Sequence, residues 1–240
     1  MAVDWLLEAA ALYNEQSLEG RDGYPAHILM PVDTLAQILD WTFQSLPDEI
    51  LVGMDVNPDL PHSREVEEAY CGTDFESGLF SGQGFVLGEP HLVNRGDSYS
   101  VHHVPEEWMD GLFDESRGVR GGRFSHWLHT HPNAPAIPSG ADAESAQWTE
   151  GCDMILGVRY SPEGMLPWLE DIEGERRELS PDETLPVIGR AVTGHLIHGL
   201  ELIAFHRRGF AVNVVLTDEH GSPIEPVSYT HLTLPTILLV

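Results

Sequence analysis

The sequence predicts an α/β protein in which a mixed β-sheet is flanked by helices. Segments typical of strands alternate with segments typical of helices along the chain, without a regular βαβ repeat. No internal repeat or linker divides the 240 residues, a length that suffices for one large domain or two small ones. We therefore expect one main domain over residues 27–226, preceded by an N-terminal accessory helix within residues 1–26.

Apolar periodicity defines the elements in the first quarter of the chain. Residues 3–18 have helical spacing and end before a glycine, whereas residues 28–30 have the character of a short strand. Pro31 opens a clearer amphipathic helix, which stops near Pro47. The apolar run over residues 49–56 then predicts the next strand.

The next segment, residues 57–83, is polar and rich in proline, glycine and acidic residues, which predicts an insertion or a long loop. Beyond it, strand, helix and turn patterns follow one another. The predicted elements are, in order, strands over 84–93 and 97–104, a short helix over 105–113, a strand with alternating faces over 124–131, a helix over 139–150, a hairpin-like pair over 154–160 and 165–170, a weaker helix over 181–194, and a last hairpin over 200–205 and 210–217.

The final segment, residues 227–240, differs from the rest of the chain. It contains no acidic residue, although the chain has 39, and it ends in an apolar run. This composition is typical of translated adaptor or vector sequence rather than of native protein. We exclude the segment from the fold prediction, as for any non-native extension.

The charge balance excludes some classes of partner. The chain has 12 basic residues, all arginine, and a net charge of -27. Such a chain repels phosphate backbones and anionic lipids, so nucleic acid and membrane surfaces are not expected as partners. The acidic residues are spread along the chain, which favours a salt-adapted acidic surface; an acidic face for a basic partner is the alternative.

The expected location is the cytoplasm. The N-terminus has acidic residues where a signal peptide has basic ones, and no apolar stretch reaches the length of a membrane span. The two cysteines, Cys71 and Cys152, form no CxxC motif, and two thiols do not make a disulfide framework. Two buried thiols are favoured over a single bridge between them.

Residues 124–142 contain a candidate metal site. On a strand, positions i and i+2 point to one face, so His129 and His131 present two imidazoles side by side. Ser139 is a natural helix N-cap and places Asp142 in the first helical turn. Three protein ligands with one open position are typical of catalytic zinc. An HxH pair or a capping box alone is common, but neither explains the conjunction of all four residues.

A zinc hydrolase also requires a general base that is not a ligand. Glu49 is the best candidate, because a carboxylate at the start of an apolar strand is unexpected for packing; a solvated strand end is the alternative. Glu89, Glu106 and Glu107 are weaker candidates. We assign no catalytic role to His102, His103, His126, His195 or His198, and we expect His126 to face away from the metal because it lies an odd number of residues from His129.

Together these residues resemble the signature of the JAMM (MPN-plus) metalloproteases. That signature is an upstream glutamate, then H-x-H-P, seven residues, and S-x-x-D, and it is matched here by Glu49, His129, His131, Ser139 and Asp142. A tryptophan common before the motif is also present, and the match in layout covers residues 28–170. The resemblance implies a fold like that of the cytidine deaminases, with a curved mixed sheet between helices.

The resemblance also implies roles for the matched residues. His129, His131 and Asp142 would hold Zn2+, Glu49 would move a proton from the attacking water to the leaving amine, and Ser139 would hydrogen-bond the oxyanion. The implied activity is that of an isopeptidase or peptidase that cleaves after the C-terminus of ubiquitin-like modifier proteins, like a deubiquitinase or an archaeal desampylase. The implied partners are conjugates of such modifiers.

Two other functions remain as alternatives to the isopeptidase. One is a zinc hydrolase of the same fold that releases an amino acid or peptide from a sulfur-carrier protein. The other is a non-catalytic MPN scaffold, which is disfavoured because such relatives lose the metal ligands that this chain keeps. A nucleoside deaminase and an HExxH protease are disfavoured because the chain lacks the H-x-E, PCxxC and HExxH motifs.

Overall fold

A computed structural model of the protein describes residues 4–57, 59–60, 86–96, 124–162, 168–170, 176–178 and 185–225. The helices are α1 (Asp4–Glu19), α2 (Val32–Ser45) and α3 (Gly140–Ala146), and a short 3-10 turn spans Arg21–Gly23. The strands are β1 (His27–Pro31), β2 (Ile50–Met54), β3 (His91–Arg95), β4 (His126–Pro132), β5 (Cys152–Pro162), β6 (Trp168–Glu170), β7 (Arg176–Glu178), β8 (Gly189–Arg190), β9 (His195–His206) and β10 (Phe210–Thr217).

Eight of these strands form one mixed sheet, in the order β1-β10-β9-β5-β4-β2-β3, with β8 paired to β9. The pairs β1–β10 and β4–β5 are parallel, and the other pairs of this sheet are antiparallel. Strands β6 and β7 form a separate antiparallel pair. The predicted fold class, an α/β protein with a mixed sheet flanked by helices, is confirmed at this level.

Helices α1 and α2 share one apolar core with the sheet, and that core includes Ala10, Ile38 and Met154. Helix α1 is also tied to β10 by buried polar contacts. The Asn14 side chain accepts from the backbone N–H of Leu216 (2.8 Å) and donates to the carbonyl of the same residue (2.7 Å). Because these bonds satisfy backbone groups of a buried strand, they fix α1 to the sheet edge formed by β10 and β1.

Strand β4 separates the core from the candidate site by simple alternation. His126, Leu128 and Thr130 are buried on one face, whereas Trp127, His129 and His131 are partly exposed on the other. The prediction that His126 faces away from the candidate metal ligands is therefore confirmed. Its Nδ1 lies 3.0 Å from Oγ of Ser125, and its pKa falls to about 4 because burial outweighs the nearby charge of Asp55.

Two predicted elements in the C-terminal half were wrong. The pair over 154–160 and 165–170 is not a hairpin, because β5 runs on to Pro162 between β4 and β9, while β6 pairs with β7. The helix predicted over 181–194 is absent from its described part, 185–194, which contains β8 and a turn at Gly194 (φ 86°). Strand β9 begins at His195, earlier than the predicted start at residue 200, and β8 pairs with this additional part.

Among the residues that are described, no helix combines the length and the apolar character needed to cross a bilayer.

Several predictions lie outside the described residues. Outside the description lie most of the insertion 57–83, the strand 97–104, the helix 105–113, the tail 227–240, and the residues Cys71, His102, His103, Glu106 and Glu107. Of the other predictions for single residues, Cys152 is a buried free thiol and Glu89 is exposed.

Candidate metal centre

Two histidines and one carboxylate converge where β4 passes beneath the start of α3. The Nε2 atoms of His129 and His131 are 3.0 Å apart. Oδ1 of Asp142 lies 3.2 Å from Nε2 of His129, and its Oδ2 lies 3.6 Å from Nε2 of His131. The three side chains are only 14–19% exposed. They form a group able to hold a metal ion, and it is the only such group of His, Cys, Asp or Glu among the described residues.

A backbone carbonyl defines the tautomer of one histidine. Nδ1 of His131 lies 2.9 Å from the carbonyl oxygen of Pro135. A carbonyl can only accept, so Nδ1 carries the hydrogen and donates it, which leaves a lone pair on Nε2. That Nε2 is the atom that faces His129 and Asp142. A ring nitrogen oriented in this way by a bond to its other nitrogen is the usual arrangement of a metal-binding imidazole.

The spacing of the donor atoms also fits a small tetrahedral ion. Zinc binds nitrogen and carboxylate oxygen at about 2.0–2.2 Å, so two ligand atoms on a tetrahedron are about 3.3–3.5 Å apart. The Nε2 atoms of the two histidines are 3.0 Å apart and Nε2 of His129 is 3.2 Å from Oδ1 of Asp142, both slightly below that value, whereas the 3.6 Å distance from His131 is to the other carboxylate oxygen, Oδ2. Two imidazoles and one carboxylate leave one position of a four-coordinate ion to a non-protein ligand.

The capping box of α3 holds Asp142 in place. Ser139 is the N-cap, its Oγ accepts from the backbone N–H of Asp142 (3.2 Å), and its own N–H donates to Oδ2 of Asp142 (2.6 Å). The same carboxylate therefore caps the helix and faces both histidines. Ser139 Oγ accepts in the cap, and its side chain also hydrogen-bonds the carboxylate of Asp142 at the exposed helix start.

Glu49 directly precedes β2, the strand that pairs with the strand of the two histidines. Strand β2 runs antiparallel to β4 with Leu51 opposite His129, and Glu49 lies two residues before Leu51. Buried backbone contacts fix this position: the N–H of Ile50 donates to Oγ1 of Thr130 (2.9 Å), and the carbonyl of Glu49 accepts from Gly96 (2.9 Å). Glu49 is only 8% exposed. The structure thus brings His129, His131 and Asp142 into one group, bonds Ser139 to Asp142, and places the charge of Glu49 near His131.

The electrostatics of the group follow from this proximity. Burial alone would lower the pKa of His131, but its bonds to Asp142 and Pro135 and the charges of Asp142 and Glu49 outweigh burial and raise it. Burial opposes ionisation of Asp142 as well, yet the two histidines and Ser139 hold the pKa of this carboxyl far below its usual range. The contribution of Glu49 to His131 is a second sign that its charge lies near the site.

A further buried carboxyl, Asp153, lies on the same face, and nothing in the sequence pattern indicated it. It pairs in register with Trp127, two residue pairs before Ile155 pairs with His129. Asp153 is 8% exposed, and its Oδ2 has no hydrogen-bond partner among the residues that the structure describes. Burial raises its pKa to about 6, against a hydrogen bond from Thr149 and with added repulsion from Asp142.

The raised pKa predicts a pH-dependent effect of Asp153→Asn on stability. Between about pH 4 and pH 6 the folded protein binds a proton that the unfolded chain has lost, so stability declines as pH rises through this window. The substitution removes this decline. We expect the difference in unfolding free energy, variant minus wild type, to increase by about 3 kcal/mol from pH 4 to pH 7, since a shift of about two pH units corresponds to that energy.

Urea unfolding of metal-free protein at several pH values measures this difference, and Asp22→Asn, at an exposed position, is the control. A difference that stays constant with pH would mean that Asp153 titrates normally.

Comparisons with known proteins identify no family for this chain. No protein-family model matches the chain, and no curated protein matches it either. Among solved structures, a protein from Desulfitobacterium hafniense is 13% identical, with 80% of this chain and 93% of that chain covered and a TM-score of 0.40. A protein from Salinibacter ruber is 18% identical, with 67% of this chain and 95% of that chain covered and a TM-score of 0.29. Similarity at these TM-scores supports no inference, so the site has to be interpreted from its own geometry.

Proposed function

We propose that the chain is a zinc-dependent isopeptidase of the JAMM type, which hydrolyses the bond after the C-terminus of a ubiquitin-like modifier. One observation carries the proposal: His129, His131 and Asp142 form one group able to hold a metal ion, and the charge of Glu49, which is 80 residues earlier in sequence than His129, acts on His131. An HxH strand paired with an antiparallel strand that directly follows the glutamate, and followed by a capped helix with the aspartate, is the layout that the sequence motif implies. We extend the proposal to a cytidine-deaminase-like fold and a cytoplasmic location.

The residues of the site divide the chemistry among them. Zinc held by His129, His131 and Asp142 would supply Lewis acidity and lower the pKa of a bound water. Glu49 is close to the site without being one of the three donors, so it can take a proton from the attacking water and pass it to the leaving amine. The hydroxyl of Ser139 can donate to the oxygen of the scissile carbonyl as negative charge develops there.

Burial strengthens these contributions. Because Glu49 and the three donor side chains are largely shielded from solvent, charges on the site face interact more strongly than they would in water. The hydrogen bonds of the capping box and of the His131 ring hold the donors in place before a substrate arrives. A site organised in advance in this way suits catalysis better than a non-catalytic scaffold, which has no need of a nearby general base.

Cleavage assays test the proposal. Metal-free protein, zinc-loaded protein and zinc-loaded protein with excess chelator are incubated with a lysine-linked conjugate of a ubiquitin-like protein and with a linear fusion of the same modifier. We expect cleavage of the lysine-linked conjugate in the zinc-loaded sample alone. Cleavage of the linear fusion alone would favour release of a peptide from a carrier protein. Zinc binding without cleavage of either substrate would contradict the proposal.

A further inference from the structure

The orientation of His131 depends on a residue that the motif does not include. We infer that Glu201 is a positioning residue for the metal ligand His131 and that it acts through the peptide group between Pro135 and Ala136. The inference rests on the metal site of the proposed function, but not on the identity of the substrate or on the reaction.

One peptide group connects the two side chains. Its carbonyl, from Pro135, accepts from Nδ1 of His131 at 2.9 Å. Its N–H, from Ala136, donates to Oε2 of Glu201 at 3.1 Å. In a trans peptide the C=O and N–H point in opposite directions, so the two bonds hold the group from both sides. The result is a carboxylate–peptide–imidazole chain that ends at the Nε2 facing Asp142.

The sheet register explains how Glu201 can reach this peptide. His131 of β4 pairs with Gly157 of β5, and Gly157 pairs with Glu201 of β9, so the three residues form one row across the sheet. The peptide lies over the glycine in the middle of that row. A Cβ at residue 157 would come within 3.2 Å of the nitrogen of Ala136 and 3.3 Å of the carbonyl oxygen of Ala134. The absence of a side chain there therefore allows the loop to bridge the two outer residues of the row.

The loop is fixed at its start as well. Asn133 has a left-handed backbone conformation (φ 55°), which asparagine tolerates better than most residues. Its N–H donates to the carbonyl of Val158 (2.7 Å), and its Oδ1 accepts from the N–H of Tyr160 (2.8 Å). These bonds hold the loop against β5, and the bond to Glu201 is the corresponding contact with β9.

Through the carboxylate–peptide–imidazole connection, Glu201 has two effects on His131. The carboxylate polarises the peptide, which strengthens its carbonyl as an acceptor, because hydrogen bonds in series reinforce one another. The stronger bond to Nδ1–H favours the tautomer with its lone pair on Nε2 and increases the basicity of that nitrogen. The ion pair between Glu201 and Arg159 is long (3.8 Å) and partly exposed, so it contributes little by comparison.

Variants at two positions of the row test the inference, with ring nitrogen NMR of metal-free protein and zinc affinity from competition with a chelator as readouts. In metal-free wild type, at a pH at which the ring is neutral, we expect His131 as the Nδ1–H tautomer. In Glu201→Ala we expect a mixture of tautomers and a zinc affinity that is lower by about 10-fold. This is the lower end of the loss in metal affinity that is typical when a residue that hydrogen-bonds a metal ligand is removed. Glu201→Gln keeps an acceptor for Ala136, so we expect it to stay within about 3-fold of wild type.

Gly157→Ala tests the same hydrogen-bonded connection without a change of charge. We expect it to lower zinc affinity, as Glu201→Ala does. Glu144→Gln removes an exposed carboxylate from α3 and serves as the matched control, with no expected change. Wild-type tautomer and zinc affinity in Glu201→Ala, with or without a lower melting temperature, would overturn the inference. If Glu201→Ala does not fold, equal affinities of Gly157→Ala and wild type would overturn it.

The failure of the proposed function would look different from the failure of this inference. A wild-type protein that binds zinc but cleaves nothing would contradict the isopeptidase alone. The NMR readout uses metal-free protein, so it reports on the link from Glu201 to His131 even if the wild type binds no zinc.

Discussion

In the His131→Ala variant, zinc affinity falls by a factor on the order of 100 to 1000, and cleavage of the conjugate is lost with it. The reason is the loss of one of three protein donors: structural zinc sites with four ligands bind with about 10–16 kcal/mol, or roughly 3 kcal/mol for each ligand. The remaining His129 and Asp142 form an incomplete donor set. Competition titration with a chromophoric chelator measures the change in affinity.

A second histidine supplies the control for His131→Ala. His220 is 77% exposed and follows the last strand, so His220→Ala removes an imidazole without affecting the site. We expect this variant to bind zinc and cleave like the wild type. Equal zinc affinities of His131→Ala and His220→Ala would show that zinc binds elsewhere in the chain, and the proposed metal centre would then be wrong.

In the Glu49→Gln variant, zinc binding is retained while cleavage slows by about 100- to 10,000-fold, the contribution typical of a general acid–base residue. Glutamine is nearly isosteric with glutamate, so the backbone contacts of residue 49 with Gly96 and of Ile50 with Thr130 are expected to persist. Cleavage rates at saturating zinc, measured beside the zinc affinity, separate the loss of a base from the loss of a ligand.

Glu89→Gln is the matched control for the base, because Glu89 is exposed and was a weaker candidate for the same role. We expect it to cleave normally. Undiminished cleavage by Glu49→Gln would show that another group acts as the base. Loss of zinc from Glu49→Gln would instead identify Glu49 as a fourth protein ligand, and a site with four protein ligands is typical of structural rather than catalytic zinc.

Local rules of spacing predicted the part of the site that lies within residues 124–142. Alternation along a strand placed His129 and His131 on one face and His126 on the other, and the capping box placed Asp142 at the start of α3. These relations involve neighbours a few residues apart, for which the geometry of strands and helix ends leaves few alternatives. The position of Glu49 depends on the pairing of β2 with β4, and the motif indicated it although periodicity did not.

The supporting residues could not be predicted in the same way. Asp153 and Glu201 reach the site because β5 lies next to β4 and β9 lies next to β5, and no local pattern specifies that order. The prediction instead ended this strand at residue 160 and paired it with the segment 165–170, so it did not show the row of His131, Gly157 and Glu201. An apolar strand between two others carries little information about which strands those are.

A crystal structure of the zinc-loaded protein tests the central claim most directly. We predict one zinc ion bound by Nε2 of His129, Nε2 of His131 and the carboxylate of Asp142, with a water as the fourth ligand. We also predict that the Glu49 carboxylate lies about 2.6–3.2 Å from that water, as a general base requires. Zinc bound at other residues, or a Glu49 carboxylate turned away from the water or bound directly to the ion, would contradict the account of this protein as a hydrolase.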